Sequence, residues 1–178
     1  MNEVELRNMM YTAQLENKGP FVIRYPRGRG VLQEWKQPFE ELTVGNGKKV
    51  RDGADAAIIS IGHIGNEALK AAEKLKEDGT EVAVFDVRFL KPLDETLLHK
   101  VFKGFDKVVT IEDGAVTGGL GSAVIEFITA YNYRSKVVRL GIPDRFIGQG
   151  SQQELWKECG YDAEGIAAAI RNMITVSE

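Results

Sequence analysis

At 178 residues, with 43% hydrophobic and 28% charged side chains, the chain has the balance of one ordinary globular domain with some length to spare. A formal net charge of −3 supplies no overall positive field, so neither a nucleic acid nor an anionic membrane is expected as a partner. The single cysteine, Cys159, excludes an intrachain disulfide and any Cys-rich metal motif, and it fits a reducing, cytoplasmic location.

The opening "MNEVELRNMM" carries acids before it carries a base, unlike a signal peptide. It reads as a helix. Asn2 and Glu5 make a capping-box pattern, and Leu6, Met9, Met10 and Ala13 form one apolar stripe. "ENKG" ends it, with Gly19 as the expected C-cap. "FVIRY" (21–25) reads as a strand stopped by Pro26. Residues 28–54 have little periodicity and read as a connector with one edge strand near "ELTVG". One helix and one strand cannot bury a core alone, so this opening either packs on the later elements of the chain or belongs to a larger domain.

From Asp55 the pattern turns regular. "AAIISI" (56–61), "EVAVFDV" (81–87), "KVVTIED" (107–113) and "KVVRLGI" (136–142) are strands. The first is far shorter than the ~20 apolar residues of a membrane helix. Between them lie a helix over 64–77 with Ile64, Ala68, Ala71, Ala72 and Leu75 on one face, and a short helix from Asp94. A third carries Leu120, Val124, Phe127, Ile128 and Tyr131. Ser151 and Glu154 form a capping box, and Asp162 caps a last helix bearing Ile166, Ile170 and Met173. Strands alternating with helices predict an α/β fold: three layers, α/β/α, around a mostly parallel sheet.

In such sheets ligands bind outside the carboxyl ends of the strands. Those ends offer "GHIG" (62–65), Asp86 with Arg88, the pair Glu112–Asp113, and Arg145. Gly62 and Gly65 lack the third glycine of a dinucleotide fingerprint, which leaves His63 as an ordinary loop histidine and nucleotide binding as a minor alternative. "EDGAVTGGLGS" opens a helix with glycines, but it has no phosphate-loop lysine and its acids oppose an anion. Close packing of strand and helix is the favoured reading. No Ser/His/Asp or Cys/His set and no zinc or calcium pattern is recognisable by spacing.

The remaining feature is "GPFVIRYPRGRG" (19–30), with Arg24, Arg27 and Arg29 inside six positions. Together with "DVRFLKPLDETLL", "EDGAVTGGLGSAV" and "LGIPDRFIGQG", it closely resembles the carboxyl-terminal third of the 1-deoxy-D-xylulose-5-phosphate synthases, thiamine-diphosphate enzymes of the transketolase superfamily. "RYPRG" combined with "LGIPDRFI" is the most specific part of the likeness. The resemblance implies that residues 1–45 are the end of a pyrimidine-binding domain, a helix–strand remnant plus linker, and that residues 46–178 are a transketolase-like carboxyl-terminal domain. It implies a parent that condenses pyruvate with glyceraldehyde 3-phosphate, losing carbon dioxide, for isoprenoid, thiamine and pyridoxal phosphate synthesis. That parent uses thiamine diphosphate and Mg2+ and forms a homodimer.

The same resemblance makes Arg27 the residue that contacts the substrate phosphate, with Tyr25 packing or donating beside it. A guanidinium presents a fixed fork of donors to phosphate oxygens, and the flanking Pro26 and Gly28 set its direction. Arg24 falls on the other strand face and Arg29 has no matching motif position, so both read as structural or solvated. The family's cofactor and magnesium ligands and catalytic side chains have no matching motif here, so no catalytic, cofactor or metal residue is assigned. The chain alone is expected to be inactive. A stand-alone assembly or binding module, like the carboxyl-terminal domain of dehydrogenase beta subunits, is the alternative.

Overall fold

"AAIISI" is apolar at every position but one because both of its faces are covered. The structure, a computed structural model, describes residues 1–175. In it this run is β2 (Ala56–Ile61), the centre of a five-stranded sheet. Successive side chains on a strand point to opposite faces. Ala56 and Ile58 therefore enter one core layer, with Ala68, Ala71 and Leu75 on one helix and Ile166 and Ile170 on another. Ala57 and Ile59 enter the other layer, with Leu98, Val101, Phe102, Val124 and Phe127. A strand buried on both faces reads as a continuous hydrophobic run, which is why this one is legible without alternation.

The helices of the first layer are α2 (Gly65–Glu77) and α6 (Ala163–Thr175), and those of the second are α3 (Glu95–Gly104) and α4 (Leu120–Ala130). The strands are β1 (Lys48–Arg51), β2, β3 (Val82–Asp86), β4 (Lys107–Ala115) and β5 (Lys136–Ile142), in the order β1-β3-β2-β4-β5. All neighbours are parallel except the antiparallel pair β1–β3. The α/β/α architecture with a mostly parallel sheet is thus the expected one. The expected caps are present too. Asp94 accepts from Leu97 N at 2.8 Å, Asp162 from Gly165 N at 2.9 Å, and Ser151 and Glu154 close a capping box on α5 (Gln152–Glu158).

The amino-terminal third departs from the sequence reading. The helix α1 (Glu3–Ala13) forms and Asn2 caps it, but its C-cap is Gln14 rather than Gly19. Its apolar stripe is not the buried face: Glu5, Asn8 and Thr12 are buried, while Leu6, Met9 and Ala13 are half-buried and Met10 is exposed. Hydrogen bonds explain the inversion. Asn8 accepts from Glu40 N and Thr12 from Leu42 N, at 3.1 and 2.8 Å, so the polar face ties the connector down. "FVIRY" forms no strand: the sheet ends at β1 on one side and β5 on the other, and the segment adds to neither edge. The edge strand sits at "KKVR" rather than near "ELTVG", where the chain turns instead. The last three residues of the expected second domain, 176–178, lie outside the described residues.

Candidate functional site

The carboxyl end of β4 carries two successive acids. Glu112 and Asp113 serve opposite faces of the sheet, as alternation along a strand leads one to expect. Glu112 is buried, and its two oxygens accept from Leu120 N and Gly121 N, both at 2.9 Å. The carboxylate therefore fills the amino terminus of α4, the position where a phosphate would bind. A side chain at Gly119 would put its Cβ 1.8 Å from Glu112 Oε2, so this glycine exists to let the carboxylate in. The packing reading of "EDGAVTGGLGS" holds, and the anion at the helix start is the protein's own.

Asp113 is the hub of the opposite side. Its Oδ1 accepts from the Tyr161 hydroxyl at 2.8 Å. His63 Nε2 lies 3.2 Å from Oδ2, close enough to interact but without the angle of a good hydrogen bond. The His63 imidazole is the main influence holding the Asp113 carboxyl below its usual range. Burial opposes this, and the Tyr161 hydroxyl and the charge of Arg24 add to it. Burial, then the bond to Asp113, pushes the Tyr161 phenol far up, so it stays a donor. The His63 ring packs on Trp156 at 5.6 Å between centroids. Asp113, Trp156 and Tyr161, with Ile142, Ile147 and Leu155, line a cavity of about 230 Å³. Cys159 also borders it; burial, then Glu158, raises its thiol, which argues against a nucleophile. "GHIG" is thus part of this cluster. A side chain at Gly65 would meet Ser60 and Met1, so that glycine serves packing.

The Tyr-Pro-Arg-Gly turn lies beside this end of the sheet. Gly28 faces Gln152 Oε1, 3.2 Å from where a Cβ would stand. Further on, Glu3 accepts from Val31 N and Leu32 N at 2.5 and 3.0 Å, which pins the arm to α1. Tyr25 is 60% exposed. Arg27 is exposed and, among the described residues, has no hydrogen bond or ion pair. Arg24 differs from its neighbours: its Nη1 lies against Gly114, 3.0 Å from where a Cβ there would stand, and its charge reaches Asp113 and Tyr161.

A second polar cluster joins α1 to the end of β3. Glu5 accepts from Arg88 Nη2 at 3.0 Å and from Lys48 Nζ. Burial pushes Glu5 up, but these two cations outweigh it and leave the carboxyl below its usual range. Asp86 is 1% exposed. Its Oδ1 accepts from Arg88 N at 3.1 Å, while Oδ2 has no partner. Burial pushes its carboxyl up. Arg145 pairs with Glu158 at 3.4 Å.

Spacing did not point to the set His63–Asp113–Tyr161, because its members are up to 98 residues apart and meet only through the parallel order of β2 and β4. The family's cofactor does not fit these residues. Among the described residues no group of three or more His, Cys, Asp or Glu could hold a metal ion, and the one glycine-rich helix start is filled by Glu112.

A mixed five-stranded α/β/α sheet with one antiparallel edge strand, and a helix start closed by the protein's own acid, defines an α/β domain of the doubly wound class. The family described as "Transketolase, C-terminal domain" matches residues 45–166, and the chain belongs to that family. It is 59% identical over 174 residues to the 1-deoxy-D-xylulose-5-phosphate synthase of Cytophaga hutchinsonii, covering 97% of this chain and 27% of that protein. It is 56% identical over 167 residues to the synthase of Bacteroides thetaiotaomicron, covering 93% and 26%. The chain thus spans about a quarter of the length of the curated relatives it matches. Among solved structures, an inactive β4 tetramer of a split-gene transketolase matches with TM-score 0.71 and 34% identity over 78% of this chain and 45% of that one.

Proposed function

We propose that this chain is the carboxyl-terminal part of a thiamine-diphosphate- and Mg2+-dependent transferase that condenses pyruvate with glyceraldehyde 3-phosphate, losing carbon dioxide, to give 1-deoxy-D-xylulose 5-phosphate. Within that enzyme, residues 1–45 complete a pyrimidine-binding domain and residues 46–178 form a packing and dimer-contact domain. Arg27 grips the phosphate of the aldehyde, and Tyr25 flanks it. The synthases of Cytophaga hutchinsonii and Bacteroides thetaiotaomicron support the reaction. The observation that carries the role of Arg27 is its freedom: an exposed guanidinium with no protein partner among the described residues, on an arm fastened beyond it by Glu3.

A charge-assisted, two-pronged bond to phosphate contributes about 1.5–3 kcal/mol, which corresponds to a roughly ten- to hundredfold change in affinity. In the full-length enzyme, Arg27→Ala should therefore raise the KM for glyceraldehyde 3-phosphate by about that factor and leave the KM for pyruvate unchanged. An unchanged KM for the aldehyde would contradict the assignment. A separately encoded assembly subunit is the second reading, and the split-gene relative favours it. The length of the complete reading frame separates the two.

A further inference from the structure

Arg24 and Arg27 sit three residues apart on one arm, which puts their backbones at most about 10 Å apart. Both are exposed and, among the described residues, neither has a hydrogen bond or ion pair, but the Arg24 guanidinium alone lies against the buried Gly114 at the end of β4. The next residue back along β4 is Asp113, which accepts from Tyr161 and has the His63 ring 3.2 Å away. These come from the loop after α5 and the turn after β2, so Asp113 is held by the rigid part of the fold. On the far side of the turn, Gly28 is seated against Gln152 at the start of α5. The tetrapeptide Tyr25–Gly28 is thus suspended between two anchors, although the segment makes no strand pairing of its own.

We infer that Arg24 is a positioning residue: docked on Gly114 beside Asp113, it fixes the direction of the Tyr-Pro-Arg-Gly turn and so presents Arg27 to the phosphate of the substrate. The inference rests on the reading of Arg27 as the phosphate ligand. An arm without ladder hydrogen bonds is otherwise free to swing. Binding through Arg27 would then have to order the backbone as well as the side chain, at a cost in affinity. A glycine at 114 leaves room for the guanidinium, and the Asp113 carboxylate supplies the opposite charge. The electrostatic influence of Arg24 on both Asp113 and Tyr161 agrees with this placement.

The test uses the full-length enzyme and reads kcat and both KM values. Arg24→Ala should raise the KM for glyceraldehyde 3-phosphate about tenfold, equivalent to one pre-organised contact, with the KM for pyruvate unchanged. Arg24→Lys keeps a charge that reaches Asp113 and should recover part of the loss. Asp113→Asn, which leaves the arm's own sequence intact, should move the same constant in the same direction. If Arg24 acts through Arg27, then Arg24→Ala in an Arg27→Ala background changes nothing further. Full additivity of the two substitutions would mean that Arg24 touches the substrate itself and would overturn the inference. So would an Arg27→Ala effect on KM with none from Arg24→Ala. If Arg27→Ala itself has no effect, the phosphate reading falls and this inference falls with it. Thermal midpoints of the variants separate a moved arm from a domain that has failed to fold.

Discussion

Asp113 and Asp86 titrate in opposite senses. The Asp113 carboxyl lies below its ordinary 3.8 in the fold. Near that pH the unfolded chain binds more protons than the folded one, so stability rises with pH. The contribution is complete above the unfolded value and is lost as pH falls through the folded value. Thermal melts taken downward from about pH 5 should therefore show the native chain losing stability faster than its Asp113→Asn variant. Parallel curves would remove the network from the account. Asp86 has the reverse sign. Its folded value is raised by burial, so its contribution is complete below 3.8 and is lost as pH rises through the folded value. Its Oδ2 is also a buried acceptor with no donor. Asp86→Asn should stabilise the domain at neutral pH by on the order of 1 kcal/mol, read from urea unfolding, because the charge that burial penalises is removed while Oδ1 stays for Arg88. A lower urea midpoint would show that attraction to the nearby cations dominates. Neither role was legible in the sequence, where both residues were simply acids at strand ends.

Among the elements, those from Asp55 onward could be read almost to the residue, because strands covered on two faces and helices with single apolar stripes leave strong periodic signals. Local chemistry fixed their ends, as Asp94, Ser151 and Asp162 show. The helix α1 was legible as a helix but not in its orientation, since side chains that hydrogen-bond a distant connector outvoted the apolar stripe. "FVIRY" has strand composition without a strand partner, and pairing is a tertiary property that composition cannot supply. The start of α4 is the element most exposed to a single change. Gly119→Ala would drive a Cβ into Glu112 Oε2 and displace a carboxylate that satisfies two backbone donors. The loss should be about 1–3 kcal/mol in chemical denaturation. An unchanged denaturation midpoint would mean that the carboxylate is not needed there.

The whole molecule combines a well-packed α/β/α domain with an amino-terminal third that is fastened by polar contacts and leaves apolar side chains outside. There Val22 is almost fully exposed and Val31 and Phe39 more than half; in the loop after β5, Phe146 is fully exposed as well. Apolar surface of this kind favours association. Sedimentation of the isolated chain should show a weight that rises with concentration, and a clean monomer throughout would count against the proposed dimer surface. Catalysis belongs to the same scale. The chain spans about a quarter of its relatives; as proposed, it supplies an arginine for substrate, and its described residues offer no fitting place for the cofactor. The central claim is that this part grips and packs while the chemistry is assembled elsewhere in the parent. The most direct measurement is release of carbon dioxide from pyruvate by the purified 178-residue chain, supplied with glyceraldehyde 3-phosphate, thiamine diphosphate and Mg2+. No release above the protein-free background is predicted; release that grows in proportion to the amount of chain would contradict the account.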